Sequence, residues 1–248
     1  MSLPLAKSDT VFTVNDLKSI PYIDMTIDVL QSFGIEVKHN GYAEFFVEGN
    51  QSYVPRVYNI EGDWSGASCL LVAGAVAGSI SIGNLNPLSR QADVAIIEAL
   101  SRAGAGIETT TDSVTVSRPD YLAAFEFDAT NCPDLFPALA ALAANCDGES
   151  VITGTRRLKH KESDRAVTLS TEFAKMGIEI DISQDDVMRI KGAKMMSASV
   201  ESHNDHRIAM SLAVAALNAD GGVSIDGATA VDKSYPLFWD DLAAVTKQ

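Results

Sequence analysis

The pentapeptide Met176-Gly177-Ile178-Glu179-Ile180 decides the fold, because it is one of three similar copies along the chain. The other two are Phe33-Gly34-Ile35-Glu36-Val37 and Ala105-Gly106-Ile107-Glu108, so that consecutive glycines lie 72 and 71 residues apart. A second series of glycines has nearly the same period. It consists of Gly83, Gly154 and Gly227, which are 71 and 73 residues apart. Two independent markers with one period predict an internal structural repeat.

Each copy of the pentapeptide follows a helical pattern. Apolar residues three and four positions apart predict one buried stripe on a helix. The stripes are Ile23, Ile27 and Leu30; Val94, Ile97 and Leu100; and Ala166, Leu169 and Phe173. We expect the glycine of each copy to end its helix in a left-handed cap. A short strand, a polar turn and an alternating strand then follow.

A second helix, rich in small residues, lies earlier in each repeat and leads into the strand that ends at the second glycine. The predicted helices cover residues 65–77, 133–145 and 206–219. The full repeat is therefore βαβαββ. Crossover helices imply parallel strand pairs and the closing hairpin adds an antiparallel pair, so we predict an α/β fold with mixed sheets. Residues 1–60 supply only the later half of a unit, and we expect an N-terminally truncated chain.

Composition excludes several classes of protein. Apolar residues make up 46% and charged residues 21%, as in ordinary globular proteins. A net charge of -14 argues against nucleic acid or an anionic membrane as the main partner. The longest apolar stretch, residues 69–77, is too short to span a bilayer, and we expect no signal peptide. Three cysteines without a CxxC pair favour neither a disulfide framework nor a zinc ribbon. We therefore predict that the protein is located in the reducing environment of the cytoplasm.

Residues 156–165 reverse the sign of this acidic chain, with five basic side chains against two acidic ones. The segment follows a predicted strand and opens a helix, where free backbone N–H groups favour anions. Lys161 and Arg165 are four residues apart and are expected to share a helical face, with Glu162 beside them. Two cations near a carboxylate can hold a phosphate or carboxylate while the acid moves a proton. A solvated, capped helix start is the alternative.

A second candidate segment is Asn204-Asp205-His206-Arg207, again where a strand leads into a helix. Arg207 is a candidate anion ligand at the helix N-terminus, and Asp205 is expected to cap the helix. His203 and His206 are three residues apart, a spacing that metal ligands also show. Because no carboxylate–histidine cluster elsewhere completes such a site, we predict no metal here.

Asp134 and Lys233 are the remaining candidates. Asp134 follows Pro133 in the first turn of a predicted helix, where a carboxylate is also a favourable partner of the helix dipole. Lys233 lies in the loop before the C-terminal helix, where a lone lysine is usually solvated. All four segments, however, lie where a strand leads into a helix, the end at which α/β sheets bind ligands. Their common position favours a shared function.

Three of these motifs, in this order and spacing, resemble the 5-enolpyruvylshikimate-3-phosphate synthase family. They are Lys161-Glu162-Ser163-Asp164-Arg165, Asn204-Asp205-His206-Arg207 and Lys233-Ser234-Tyr235-Pro236, with further matches at Ser19-Ile20-Pro21-Tyr22-Ile23-Asp24, Glu61-Gly62-Asp63 and Pro133-Asp134. The resemblance extends from about Lys18 to the end of the chain. It implies an enolpyruvyl transferase fold of two domains, each with three βαβαββ units. Residues 1–60 are then expected to be a remnant of one domain, and residues 61–248 most of the other.

The resemblance implies transfer of the carboxyvinyl group of phosphoenolpyruvate to the 5-hydroxyl of shikimate 3-phosphate, a step of aromatic amino-acid biosynthesis. By the same resemblance, Asp134 accepts the hydroxyl proton, Glu162 donates a proton and Lys233 assists. The residues implied to bind phosphoenolpyruvate are Arg165, Arg207 and Lys233; those implied to contact shikimate 3-phosphate are Ser19, Tyr22, Asp134 and Lys161; and His206 is implied to orient Glu162. No metal and no organic cofactor is implied.

The chain also departs from the family pattern. Residues 159 and 160 are Lys and His where the family suggests Arg and a small apolar residue, and Arg157 replaces a substrate-contacting Asn of some members. Since the basic and serine side chains of the family's N-terminal half have no counterpart, we expect this chain alone to be inactive without that missing half. Two alternatives stay open: an enolpyruvyl transferase acting on UDP-N-acetylglucosamine, and a non-catalytic α/β module that binds an anion or a partner protein.

Overall fold

The chain divides into two compact units. A computed structural model describes residues 1–246. The first unit comprises residues 1–60 with residues 90–92, and the second comprises residues 61–89 with the chain from residue 93 onward. Along the described residues, no helix combines the length and the apolar character that crossing a membrane requires.

The first unit holds one α-helix and three short strands. In chain order these are β1 (Thr10–Thr13), α1 (Ile20–Ser32), β2 (Lys38–Asn40) and β3 (Glu44–Val47). The sheet order is β1-β3-β2, and both strand pairs are antiparallel. Ile27 and Leu30 of α1 and Phe45 and Val47 of β3 supply buried apolar side chains of this unit.

The second unit begins with a helix and a three-stranded antiparallel sheet of order β4-β6-β5. Its elements are α2 (Trp64–Ala77), β4 (Ser79–Gly83), α3 (Ile96–Arg102), β5 (Gly106–Thr109) and β6 (Ser113–Ser117). The buried face of α3 consists of Ile96, Ala99 and Leu100. It differs from the predicted stripe, because the helix begins only at Ile96 and leaves Val94 and Ile97 half-buried.

The central repeat has the complete βαβαββ order. It consists of β7 (Glu126–Asp128), α4 (Phe136–Ala144), β8 (Glu149–Thr153), α5 (Arg165–Lys175), β9 (Glu179–Asp181) and β10 (Val187–Lys191). In the sheet β7-β8-β10-β9, β7 and β8 are parallel, whereas the two pairs that involve β10 are antiparallel. The prediction of an α/β fold with mixed sheets is confirmed.

The last repeat contains β11 (Met196–Glu201), α6 (His206–Ala215), β12 (Asp220–Asp226) and α7 (Phe238–Thr246). Its two strands are parallel, as a crossover helix requires. The three small-residue helices α2, α4 and α6 contact one another and form the core of the second unit. Every residue of α4 is buried, which explains why this helix is apolar on all sides.

The helices α1, α3 and α5 end in the same cap. A glycine with positive φ follows each helix: Gly34 (82°), Gly104 (89°) and Gly177 (88°). The N–H of the next residue donates to the carbonyl five residues earlier, as in a Schellman motif; these pairs are Ile35 to Leu30, Ala105 to Leu100 and Ile178 to Phe173. The prediction that Gly106 ends the second of these helices is therefore wrong. Gly106 begins β5, where an added Cβ would collide with Oγ of Ser117.

Candidate active site

The predicted site residues of the second unit occupy four loops that each lead from a strand into a helix. Asp134 follows β7; Lys161, Glu162 and Arg165 follow β8; His206 and Arg207 follow β11; and Lys233 follows β12. Six side chains form one group of ion pairs, which we call the Arg165 cluster: Asp134, Lys161, Glu162, Arg165, Asp205 and Arg207. Three of the four loops therefore meet in this cluster, although their residues are up to 73 positions apart.

Arg165 lies at the centre of this cluster, and its side chain is only 1% exposed. Its Nε donates to Oδ2 of Asp205 at 2.8 Å, Nη1 donates to Asp134 at 2.8 Å, and Nη2 donates to Glu162 at 2.5 Å. Burial disfavours the charge, but the three carboxylates outweigh it and raise the pKa of Arg165 above its ordinary value. A planar guanidinium with five N–H groups suits such a position between several carboxylates.

Lys161 reaches the cluster by a different route from the one predicted. It follows a 3-10 turn at Thr155–His160 and has an extended conformation, with φ -94° and ψ -162°. Helix α5 begins only at Arg165, after its N-cap Asp164, so the prediction that Lys161 and Arg165 share a helical face is wrong. Both cations nevertheless contact Oδ1 of Asp134, at 3.0 Å and 2.8 Å.

Asp134 is held as a carboxylate by the cations around it. Burial alone would raise its pKa, but Arg207, Lys161 and Arg165 lower the pKa to about 2. The side chain lies in the first turn after β7, where Pro133 starts a short 3-10 helix. At neutral pH Asp134 is therefore ionised and able to accept a hydrogen bond or a proton.

Arg207 and Lys233 complete the cationic side of the site. Arg207 is the second residue of α6, with its side chain 12% exposed and its Nε 3.9 Å from Oδ1 of Asp134. Its backbone N–H donates to the side chain of Asp205, which caps α6 as predicted. Nζ of Lys233 donates to the carbonyl of Asn204 at 2.6 Å, which ties the loop after β12 to the turn that precedes α6.

The two histidines of the predicted α6 start have different surroundings. His206 is buried, and its Nδ1 lies 4.0 Å from Oε1 of Glu162, beyond hydrogen-bond distance. Burial and the charge of Arg207 lower the pKa of His206, so the ring is neutral at pH 7. His203 instead contacts Glu172 of α5 at 2.8 Å. Among the side chains of residues 1–246, no three His, Cys, Asp or Glu residues are grouped as metal ligands would be.

Ser19 and Tyr22 belong to the first unit. Ser19 precedes α1 with a left-handed backbone (φ 54°), and its carbonyl accepts from the backbone N–H of Tyr22 at 3.0 Å. Both residues therefore lie at the N-terminus of a helix, as do Arg165 and Arg207 of the second unit. A positive φ at a serine is uncommon and marks a locally constrained backbone.

Sequence reasoning missed the roles of two buried carboxylates. Asp205 was expected only as a helix cap, yet it also accepts two hydrogen bonds from Arg165 and one from Ser163. Glu172 lies on the face of α5 that was expected to be an apolar stripe, and its side chain is 1% exposed. A charged residue on a predicted buried face was the available signal, because such a residue is rarely buried unless it is paired.

Comparisons of the sequence and of the structure with known proteins indicate the same family. The sequence profile described as EPSP synthase (3-phosphoshikimate 1-carboxyvinyltransferase) matches residues 1–242. A 3-phosphoshikimate 1-carboxyvinyltransferase of Clostridium acetobutylicum is 41% identical over 243 residues, which are 97% of this chain and 56% of that protein. Its counterpart in Methanocella arvoryzae is 41% identical over 245 residues, 98% of this chain and 57% of that protein.

Solved structures agree with these sequence relationships. EPSP synthase from Acinetobacter baumannii matches with a TM-score of 0.84 and 25% identity, covering 98% of this chain and 58% of that one. The enolpyruvyl transferase NikO from Streptomyces tendae, at 19% identity and a TM-score of 0.72, shares the fold and covers 97% of this chain and 56% of its own. The chain thus spans a little over half the length of these relatives, and it belongs to the EPSP synthase family.

Proposed function

We propose that this chain supplies part of the site that transfers the carboxyvinyl group of phosphoenolpyruvate to the 5-hydroxyl of shikimate 3-phosphate. The observation that carries the proposal is the convergence of Asp134, Glu162, Arg165 and Arg207 on one point, with Lys233 tied to the same turn. Both substrates are anions, and the cluster offers them cations at helix N-termini, where backbone N–H groups add to the attraction.

Arg207 and Lys233 are proposed to bind phosphoenolpyruvate, together with Arg165. Arg207 is partly accessible, whereas four hydrogen bonds to carboxylates already engage Arg165. We therefore assign the first contact with the substrate to Arg207, and we propose that Arg165 binds only as Glu162 or Asp134 releases it. Arginine forks match the oxygens of carboxylate and phosphate groups in a bidentate manner.

Asp134 is proposed to accept the proton of the attacking hydroxyl. The hydroxyl oxygen bonds to C2 of phosphoenolpyruvate while C3 gains a proton from Glu162. C3 then returns a proton to the Glu162 carboxylate, and the bond from C2 to the phosphate oxygen breaks, so that phosphate leaves. A carboxylate with a pKa of about 2 is a weak base. Because bound substrate anions would compete for Lys161 and Arg207, they would weaken the interactions that hold this pKa down, and Asp134 would become a better base.

The remaining assignments extend this proposal. Lys161, Ser19 and Tyr22 are proposed to contact shikimate 3-phosphate, and His206 to orient Glu162. We propose that the two units belong to two domains, residues 1–60 to one and residues 61–248 to the other. Because the relatives are nearly twice as long, turnover is proposed to need a complementary portion equivalent to the rest of those proteins. The reaction is assigned to the cytoplasm.

Calorimetric titration of the chain with phosphoenolpyruvate tests the binding half of the proposal. Arg207→Ala should weaken binding about 10- to 100-fold, because a hydrogen bond to a charged group contributes about 1.5–3 kcal/mol. Arg156→Ala is the matched control: Arg156 is an exposed arginine whose ion pair is with Asp185 and not with a residue of the cluster, and its loss should leave the affinity unchanged. Absence of phosphoenolpyruvate binding by the unsubstituted chain would contradict the proposal.

Turnover tests the choice of acceptor. The chain, mixed with the amino-terminal portion of a relative, should release phosphate from phosphoenolpyruvate when shikimate 3-phosphate is added. UDP-N-acetylglucosamine should not replace it. Phosphate release with UDP-N-acetylglucosamine but not with shikimate 3-phosphate would identify the UDP-sugar as the acceptor. Phosphate release by the chain without the added amino-terminal portion would show that this portion is not needed for turnover.

A further inference from the structure

Glu172 is a buried carboxylate that the proposed chemistry does not use. It lies on α5 seven residues after Arg165, so two helical turns, about 10 Å, separate two residues on the same face. Its carboxylate accepts four hydrogen bonds: two from Nζ of Lys175, one from the backbone N–H of Glu201 at 2.8 Å, and one from Nε2 of His203 at 2.8 Å. A carboxylate with so many donors holds its partners in a fixed geometry.

The partners of Glu172 flank a strained turn. His203 and Asn204 both have positive φ, at 50° and 57°. The N–H of Asp205 donates to the carbonyl of Ser202 at 2.9 Å, which closes the turn, and the N–H of Asn204 donates to Oγ of Ser202 at 3.2 Å. Positive φ is uncommon for residues other than glycine, although Asn and His adopt it more readily than most, so two in succession mark a turn that its surroundings help to hold. Glu172 supplies such contacts on one side of the turn.

Two residues of the proposed site depend on this turn. Its last residue, Asp205, caps α6 and so fixes the start of the helix that carries Arg207. The carbonyl of Asn204 accepts the hydrogen bond from Lys233. Helix α5 therefore reaches the segment 202–207 at two points, through Arg165 to Asp205 and through Glu172 to His203.

We propose that the Glu172–His203 hydrogen bond is a positioning contact, which holds the 202–205 turn in the conformation that directs Arg207 and Lys233 to an anionic substrate. The pair itself touches no substrate. Its effect on anion affinity rests on the proposed function, whereas its effect on the turn does not.

Substitutions of His203 distinguish the effect of the hydrogen bond to Glu172 from the effect of residue 203's own preference for positive φ. His203→Gln retains a side-chain N–H near the position of Nε2, whereas His203→Asn is too short to reach Glu172. Asn tolerates positive φ better than Gln, so a turn that depended on backbone preference alone would favour the Asn variant. If the hydrogen bond fixes the turn, the turn should be more stable in His203→Gln than in His203→Asn. Glu172→Leu, of similar size and without a hydrogen-bond acceptor, should resemble His203→Asn.

Hydrogen exchange of the amides of Asn204, Asp205 and Arg207, measured by NMR, reports on the turn directly. We expect exchange about 10-fold faster in His203→Asn and Glu172→Leu and near the original rate in His203→Gln. Lys175→Met is the matched control, because it removes a partly exposed partner of Glu172 and leaves His203 in place; its rates should not change. Unchanged rates in both His203→Asn and Glu172→Leu would overturn the proposal.

Titration of the same variants with phosphoenolpyruvate tests the link to the site. The dissociation constant should rise about 10-fold in His203→Asn, a size typical of residues that support a binding group from behind, and recover in His203→Gln. Faster exchange with unchanged affinity would show that the pair holds the turn but does not position the site, and would overturn that part. If the unsubstituted chain does not bind phosphoenolpyruvate, the proposed function fails, and the exchange rates alone decide whether Glu172 fixes the turn.

Discussion

At the scale of single residues, Arg165 is a cation that water barely reaches. Its neighbours are carboxylates from the loop after β7, from its own loop and from the start of α6. Transfer of an ion out of water is costly, and the partners offset the cost only while all of them stay in place. Substitution of Arg165 is therefore expected to cause a large loss of unfolding free energy, because it leaves carboxylates without their counter-ion.

Arg165→Met should lower the free energy of unfolding by about 3–5 kcal/mol, because it leaves Asp205 buried without its main partner and removes one of the three cations around Asp134. Urea unfolding followed by circular dichroism measures the change. The control is Arg156→Met, which removes an exposed arginine and should stay within about 0.5 kcal/mol of the original. Equal effects of the two substitutions would contradict the assignment of Arg165 as a buried, paired charge.

The sequence predicted which residues meet at the site better than it predicted how they meet. Asp134, Arg165 and Arg207 were grouped because each follows a strand and precedes a helix, and this positional rule holds for any α/β fold. The burial of Arg165 was not predictable from its neighbours in the sequence, because its partners Asp134 and Asp205 lie 31 and 40 residues away. The backbone at Lys161 was also not predictable, because a four-residue spacing suits a helix and does not reveal a 3-10 turn followed by an extended residue.

At the scale of elements, the left-handed glycines determine where the helices stop. The segment Ala103-Gly104-Ala105-Gly106 offers two glycines for one cap, and the pentapeptide alignment selected the wrong one. The choice depends on which N–H can reach the carbonyl of Leu100, and that bond comes from Ala105. The presence of the helices and hairpins was predictable, because the apolar period and the alternation of the closing strands are local signals, but the first residues of α3 and α5 were not.

Gly104→Ala should destabilise the chain by about 1 kcal/mol, since an L-residue at φ 89° is strained even though an added Cβ meets only the carbonyl oxygen of Tyr121, at 4.0 Å. Thermal unfolding gives the difference. Gly83→Ala is the matched control, because Gly83 lies at the end of β4 with open space around the added Cβ and no positive φ. A larger cost at Gly83 than at Gly104 would contradict the assignment of Gly104 as the cap.

At the scale of the whole molecule, the three cysteines lie around the helical core of the second unit. Cys69 is on α2, and Cys132 and Cys146 flank α4; all three are buried and free of disulfides. Burial raises the pKa of Cys69 to about 11 and that of Cys146 to about 12. For Cys132, burial and the nearby carboxylates raise the pKa to about 12. Since the thiolate is the reactive form, these thiols should be inert in the folded chain.

Reaction with a thiol-specific disulfide reagent at pH 8 tests this packing. The folded chain should react at least about 100-fold more slowly than the urea-unfolded chain, which should expose three reactive thiols. Ser183→Cys is the positive control, because Ser183 is exposed in the turn before β10 and one equivalent should then react at once. Rapid reaction of any original cysteine in the folded chain would show that the core around α2 and α4 opens readily.

The origin of the carboxylates around Arg165 has a consequence for how the chain folds. Asp134 and Asp205 belong to loops in front of α4 and α6, while the guanidinium belongs to α5. An intermediate in which one of these helices had docked and another had not would contain a desolvated charge with too few counter-ions, and it would be high in free energy. Consecutive repeats of this unit are therefore not independent folding steps, unlike those of an open solenoid, and the centre of the site should form only as the last of the three helices docks.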